Sequence, residues 1–232
     1  MKEFSKNAKS YDSYNIIQKS VASNLVKMFK KRYKSILDLG CGSGAIYNLI
    51  DWQIDEFVGV DSSKNMCSLH PKAANIKIYN MDYEKPSLYE EILRGKRFEL
   101  VCSSSSLQWC KNLEKTVESF SKLSDSCAIS IFCDGTFKTI YEISKLDTFL
   151  PNYKEVLKIF ERFYEISFKR EFYKLYFDDN ISKFRYIKKS GVSGGERRLG
   201  YKDTKNLIEN YPLEYLEFEV VYILGEKKSP SV

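Results

Sequence analysis

The sequence predicts an α/β protein on a parallel sheet, and three observations carry that prediction. Short apolar runs that end in polar residues recur through the N-terminal half. Helical stretches separate them, which is the alternation that βαβ units produce. A glycine loop, Asp38-Leu39-Gly40-Cys41-Gly42-Ser43-Gly44, follows the first run directly. At 232 residues the chain is long enough to bury a full core as one domain, 1–232, with an insertion.

The elements follow in order. Tyr14–Lys31 carries Ile17, Val21, Ala22, Leu25, Met28 and Phe29 at a helical period. Ser35–Leu39 is the first strand, and Ala45–Ile50 after the loop is expected to be a helix. Phe57–Val60 is a second buried strand closed by Asp61, and Ile76–Tyr79 a third with Asp82 beyond it. Phe98–Cys102 is a fourth, followed by a serine run and a helix over Leu113–Leu123, and Ala128–Phe132 is a fifth. Residues 136–166 read as mostly helical, broken by Pro151. Lys169–Phe177 alternates as a strand, Asn180–Lys189 is helical, and Gly191, Gly194 and Gly195 mark a loop. A helix over Lys202–Asn210 and Pro212 lead to a last strand, Tyr215–Leu224. Residues 136–212 therefore read as an elaboration over one end of the sheet.

Composition excludes several classes. No run of about eighteen apolar residues is present, so no helix spans a membrane. The start of the chain lacks the apolar stretch of a signal peptide. The six cysteines show no C-x-x-C spacing and sit in apolar runs, which argues against disulfides and zinc and for a reducing, cytoplasmic setting. Net charge is +6, and its cations concentrate between Lys183 and Lys205, where only Glu196 and Asp203 oppose them. That stretch is either a solvated face or a docking surface for an acidic partner.

The glycine loop admits two ligands. Gly40, Gly42 and Ala45 fit a dinucleotide fingerprint. Asp38 opposes it, because a carboxylate at the strand's end repels a pyrophosphate in a half-dry cleft. The same carboxylate favours a cation such as the α-ammonium of S-adenosylmethionine (SAM). Asp61 ends the second strand where an acid accepts both ribose hydroxyls of an adenosine, although with Ser62 it also reads as a helix cap. Asp82 can accept from an adenine amino group, and Ser103 and Ser104 end the fourth strand beside the loop. The only histidine, His70, precedes Pro71 at a helix end and reads as structural, so no nucleophilic dyad can be assembled around it.

The loop together with Gly59-Val60-Asp61-Ser62 resembles the class I SAM-dependent methyltransferases. Further residues narrow the resemblance to the biotin-pathway malonyl-acyl-carrier-protein O-methyltransferases: Phe4, Ala8, Tyr11-Asp12 and Gln18; Ser103 with Leu107-Gln108-Trp109-Cys110; Phe149-Leu150-Pro151; Phe177-Asp178-Asp179; Arg185, Lys188 and Gly191-Val192-Ser193; and Tyr211-Pro212-Leu213 with Tyr215. Two stretches depart from that pattern. Leu123-Ser124-Asp125-Ser126 replaces an Arg-Pro-Gly-Gly-type turn, and the serines 103–106 replace a more apolar stretch.

The resemblance implies a Rossmann-like, mostly parallel seven-stranded sheet with an antiparallel last strand, helices on both faces and a helical insertion over the active site. It implies a helical lid at 1–31 and a substrate cover at about 136–212. It implies a SAM site of Asp38, Gly40, Cys41, Gly42, Gly44, Asp61, Ser62, Met66, Met81, Asp82, Tyr83, Ser103 and Ser104, with no metal. Tyr11, Gln18, Gln108, Trp109, Arg185 and Lys188 are the implied acceptor residues. Arg185 is the expected partner of the acceptor carboxylate, with an ion pair to Asp178 or Asp179 as its competing role. The implied reaction is methylation of the free carboxylate of malonyl-acyl carrier protein by a monomeric enzyme, the acidic carrier docking on 183–205. The residues leave open methylation of a quinone or free acid, an RNA-directed enzyme using the basic stretch, and a catalytically inactive SAM-fold adaptor.

Overall fold

The computed structural model describes residues 15–190 and 201–228, the side chains of 201–203 excepted. Tyr11 with Phe4, Ala8 and Asp12, the glycines at 191, 194 and 195, and Arg197 and Arg198 lie outside the described residues. Seven strands form one sheet in the order β3-β2-β1-β4-β5-β7-β6. They are β1 Ser35–Leu39, β2 Glu56–Asp61, β3 Ile76–Asn80, β4 Leu100–Ser104, β5 Ser126–Phe132, β6 Tyr164–Tyr176 and β7 Tyr215–Lys227. β1 to β5 pair in parallel, and β7 runs antiparallel to both β5 and β6. The sheet is therefore mostly parallel, and its last strand is the one reversed.

Helices cover both faces. α1 Ile16–Lys27 buries Ile17, Val21, Ala22 and Leu25, an i, i+4, i+5, i+8 stripe. It shares its core with Ile36, Phe57, Tyr222 and Tyr186 of α6 Asn180–Ser190. On the other face, α3 Leu113–Ser121 and α5 Tyr153–Glu161 bring Val117, Phe120, Val156 and Phe160 against Leu37, Val101 and Ile129. Short α2 Lys64–Leu69 follows β2, α4 Lys138–Ser144 follows β5, and α7 Tyr201–Asn210 precedes β7. No helix among the described residues is long and apolar enough to cross a membrane.

Three elements differ from expectation. The α-helix expected over Ala45–Ile50 is a single 3₁₀ turn at Tyr47–Leu49. Asn48, Tyr47 and two isoleucines are weak helix formers, and so short a segment gains too few hydrogen bonds to offset nucleation. Tyr47 instead packs edge-on against Phe57, ring centres 5.1 Å apart. The helical reading of 136–166 fails at its end, because Tyr164 and Ile166 already belong to β6, pairing with Lys227 and Gly225. β4 sits two residues later than read, so Ser103 and Ser104 lie inside it.

Candidate active site

The strand order reverses between β1 and β4, and a cavity opens there, outside the carboxyl ends of the strands. Its empty space, open solvent at the mouth included, is about 880 Å³. Its floor is the glycine loop. The N–H groups of Gly40 and Cys41 donate to Val60 O at 2.7 and 3.1 Å, tying the loop to the end of β2. Asp61 completes the clamp, accepting from Gly42 N at 2.9 Å and Ser63 N at 2.8 Å. Each carboxylate oxygen keeps lone-pair capacity for a further donor. Burial raises the Asp61 pKa, and those two backbone bonds act against the rise.

Two glycines are dictated by this geometry. A Cβ on Gly40, whose φ is +79°, would lie 2.0 Å from Ser106 Oγ. Gly42, at φ +52°, would project its Cβ toward Met66 Cε at 3.4 Å, filling the cavity floor. The loop is thus a bare-backbone cradle, and a ligand occupies the space a side chain would take.

Asp38 is placed differently from its reading. It is 1% exposed, lies behind the loop between Gly59 and Cys102, and is not on the cavity wall. Its Oδ1 has no hydrogen-bond partner. Burial first, then the nearby Asp61 charge, pushes its pKa up to about 8, while the Cys102 thiol lowers it by hydrogen bonding. A buried acid with an orphaned oxygen this close to the cradle fits a cationic ligand above it.

The serine run builds the wall opposite Asp61. Ser103 is fully buried and donates to Leu39 O at 2.6 Å, joining β4 to β1. Ser104 accepts from Ser130 Oγ at 3.1 Å. Ser105 takes a left-handed φ of +56°, which turns the chain over the strand end, and its carbonyl accepts from Gln108 Nε2 at 2.8 Å. Ser106 and Tyr83 bond twice: Tyr83 OH donates to Ser106 O at 3.0 Å, and Ser106 Oγ donates to Tyr83 OH at 3.1 Å. Trp109 closes the mouth and stacks on Phe149 with ring centres 5.3 Å apart and planes 18° from parallel. Tyr141 of α4 meets Phe149 edge-on at 6.5 Å.

The comparisons agree with this geometry. A family model described as "Methyltransferase domain" matches residues 36–127, the stretch that holds β1 to β4 and the cradle. A malonyl-[acyl-carrier protein] O-methyltransferase of Acetivibrio thermocellus is 29% identical, the alignment covering 97% of this chain and 92% of that protein. One of the same name from Priestia megaterium is 28% identical over 60% of this chain, which spans only 53% of its length. Among solved structures, the YcgJ protein of Bacillus subtilis superposes with a TM-score of 0.66 at 14% identity, covering 91% of this chain and 99% of that one.

Residues 36–127 thus match a methyltransferase domain, and almost the whole chain is similar to SAM-dependent O-methyltransferases.

The cavity gathers Gly40, Cys41, Gly42, Asp61, Ser62, Met66, Tyr83, Ser104, Gln18 and Trp109 from the sequence-derived set. Gly44 lies behind the loop, where a Cβ would strike Pro71 at 2.7 Å. Met81 and Asp82 stand beside the cavity at the end of β3, and Asp82 Oδ1 accepts from Glu84 N at 2.9 Å. Gln108 supports Ser105 from beneath. Arg185 and Lys188 are not brought to the cavity. α6 turns Lys183, Tyr186 and Ser190 inward, so Arg185 and Lys188, three apart, share its outward face. There the Arg185 charge helps hold the exposed Asp179 carboxyl low, behind the stronger effect of hydrogen bonds from Ser182. His70 packs 5.6 Å from Phe57 and 5.8 Å from Tyr47, and burial lowers its pKa.

Sequence reading assigned no role to Asn15, Lys19, Ser43 and Ser63, and named Ser105 and Ser106 only as part of the serine run. The signal for the first two was present: Asn15, at the N-cap, with Gln18 and Lys19 recurs at i, i+3, i+4, a polar edge beside the apolar stripe of the helix. The two serines were misplaced by the two-residue error in β4.

Proposed function

We propose that this enzyme methylates the free carboxylate of malonyl-acyl carrier protein, giving the methyl ester that primes pimeloyl assembly for biotin. The observation that carries the reading is a cavity that can hold SAM yet offers no histidine among its described lining residues and a Cys41 thiol pushed far up by burial. Such a cavity suits an acceptor that needs no deprotonation. A carboxylate is already ionised at neutral pH, so the protein has only to position it. Alignment of two reactants is worth up to about 7–11 kcal/mol. The names of the aligned relatives support the same acceptor.

The cradle of Gly40, Cys41 and Gly42 lets backbone approach the methionyl part of the cofactor. Asp61 would accept from the ribose hydroxyls, with Ser62, Met66 and Tyr83 around the nucleoside and Met81 and Asp82 at its edge. Asp38 would attract the α-ammonium from behind the loop, and Ser103 and Ser104 hold the β4 end in place. Bound SAM supplies a methyl group on a positively charged sulfonium leaving group. Gln18, Gln108, Trp109 and, from outside the described residues, Tyr11 would surround the acceptor. Residues 136–212 would act as the substrate cover of a single domain in a monomeric, cytoplasmic enzyme, whereas α1, within the segment 1–31 expected as a lid, is packed into the core and walls the cavity. The carrier would dock on the basic stretch 183–205, whose exposed Arg185 and Lys188 would face it rather than the carboxylate.

Incubation of the protein with methyl-labelled SAM and malonyl-acyl carrier protein tests this. Base-labile label on the acyl group is the expected result. Label on a quinone or free acid, with none on the carrier substrate, overturns the acceptor and leaves the fold family standing.

A further inference from the structure

We propose that Lys19 is the carboxylate anchor of the cavity, with Gln18 beside it. α1 divides its surface between two tasks. Ile17, Val21 and Leu25 pack into the core, whereas Asn15, Gln18, Lys19 and Ala22 line the cavity. Lys19 supplies the only cationic side chain among the described lining residues, and Asp61 the only acidic one. These two charges divide the ligands. Asp61, with Asp38 behind the loop, favours hydroxyl and ammonium groups and repels any carboxylate that enters. A carboxylate therefore needs a cation within the cavity, and the cations at 185 and 188 face away from it.

Gln18 strengthens the assignment. Its Oε1 is sealed from solvent without a hydrogen-bond partner. An unpaired buried carbonyl is costly, and half a turn of the carboxamide exchanges it for an N–H donor, the group a carboxylate requires. The helix that carries both residues is anchored. Asn24 Nδ2 donates to Tyr173 OH at 2.9 Å and to Glu171 Oε2 at 3.4 Å, which holds α1 against β6. Lys19 is thus carried on a fixed backbone.

Two carboxylates present the same chemistry here, that of the methyl acceptor and that of the cofactor's methionyl group. The acceptor case rests on the function proposed above; the cofactor case does not. The variants are Lys19→Ala and Lys19→Gln in the full chain. Calorimetric Kd values for S-adenosylhomocysteine and for methylthioadenosine, which lacks the amino-acid moiety, are read beside the KM for malonyl-acyl carrier protein. About a tenfold rise in acceptor KM with both Kd values unchanged assigns the acceptor carboxylate. About a tenfold weakening for S-adenosylhomocysteine alone assigns the methionyl carboxylate. Changes below twofold in all three, with the melting temperature preserved, overturn the proposal. Equal weakening of both nucleosides overturns it as well, since methylthioadenosine carries no carboxylate. If the wild-type protein leaves malonyl-acyl carrier protein unmethylated, the proposed acceptor falls and the two nucleoside affinities alone decide the role of Lys19.

Discussion

Two aspartates at the ends of neighbouring strands do different work because their surroundings differ. Asp61 is bound by two backbone N–H groups and reaches the cavity, so it can accept from a ligand. Asp61→Asn should keep the fold and weaken S-adenosylhomocysteine binding at least tenfold, about 1.4 kcal/mol. Unchanged affinity by calorimetry would remove Asp61 from the ligand. Asp38 has no such donors, and burial raises its carboxyl to about 8. Its folded pKa therefore exceeds its unfolded one, so the native state holds a proton the unfolded state has lost between about pH 4 and 8. Stability of the ligand-free protein should fall across that window as pH rises. Asp38→Asn abolishes this term, so the variant should gain on the wild type in thermal melts from pH 5 to pH 8. A constant difference between the two would show that Asp38 is ionised throughout. An ammonium bound nearby favours the carboxylate, so cofactor binding at pH 7 should release a proton. That release appears as a dependence of calorimetric enthalpy on the buffer's ionisation enthalpy.

At the level of elements, α1 couples stability to binding because one helix packs the core and walls the cavity. Leu25 is fully buried, and Leu25→Ala should cost about 2–5 kcal/mol by denaturant unfolding. Asn24→Ala removes the tie to Tyr173 without opening a core cavity. It should lower stability by about 1 kcal/mol and weaken cofactor binding, since the helix that carries Gln18 and Lys19 is then less well held. Intact affinity would mean that the apolar stripe alone sets the helix. β1 and β2 were legible because each is a short buried run with an aspartate at or beside its end, and Asp61 was legible for the same reason. The turn at Tyr47–Leu49 was not, because Tyr47 gives up a helical position for Phe57, a contact distant in sequence. Lys19 was hidden within a helix whose apolar period dominated its reading. Arg185 was misdirected because a helix's sequence does not say which face it buries, and here Lys183 and Tyr186 turn inward.

Across the whole molecule, the reversal of strand order between β1 and β4 opens the cavity, and the antiparallel pair beyond β5 shapes its surroundings. Phe132, the last residue of β5, pairs with Val220, while β7 starts at Tyr215 and β6 runs to Tyr176. The β6–β7 pair thus rises past the carboxyl end of the parallel strands by several residues. α6 and α7 follow from that raised ridge, and α6 sets Arg185 and Lys188 outward on it. With a net charge of +6, the molecule's field would favour the approach of the acidic carrier proposed as its partner, and complementary charge acts on encounter more than on the bound contact. The double variant Arg185→Glu, Lys188→Glu should therefore raise the KM for malonyl-acyl carrier protein several-fold at low salt. The gap to wild type should close as ionic strength reaches about 0.5 M, where screening is felt within a few ångströms. Affinity for S-adenosylhomocysteine should not move, because neither side chain lines the cavity. Equal KM values at low salt would place the docking surface elsewhere. A KM gap that persisted at high salt would make these residues direct contacts of the bound carrier instead of sources of steering.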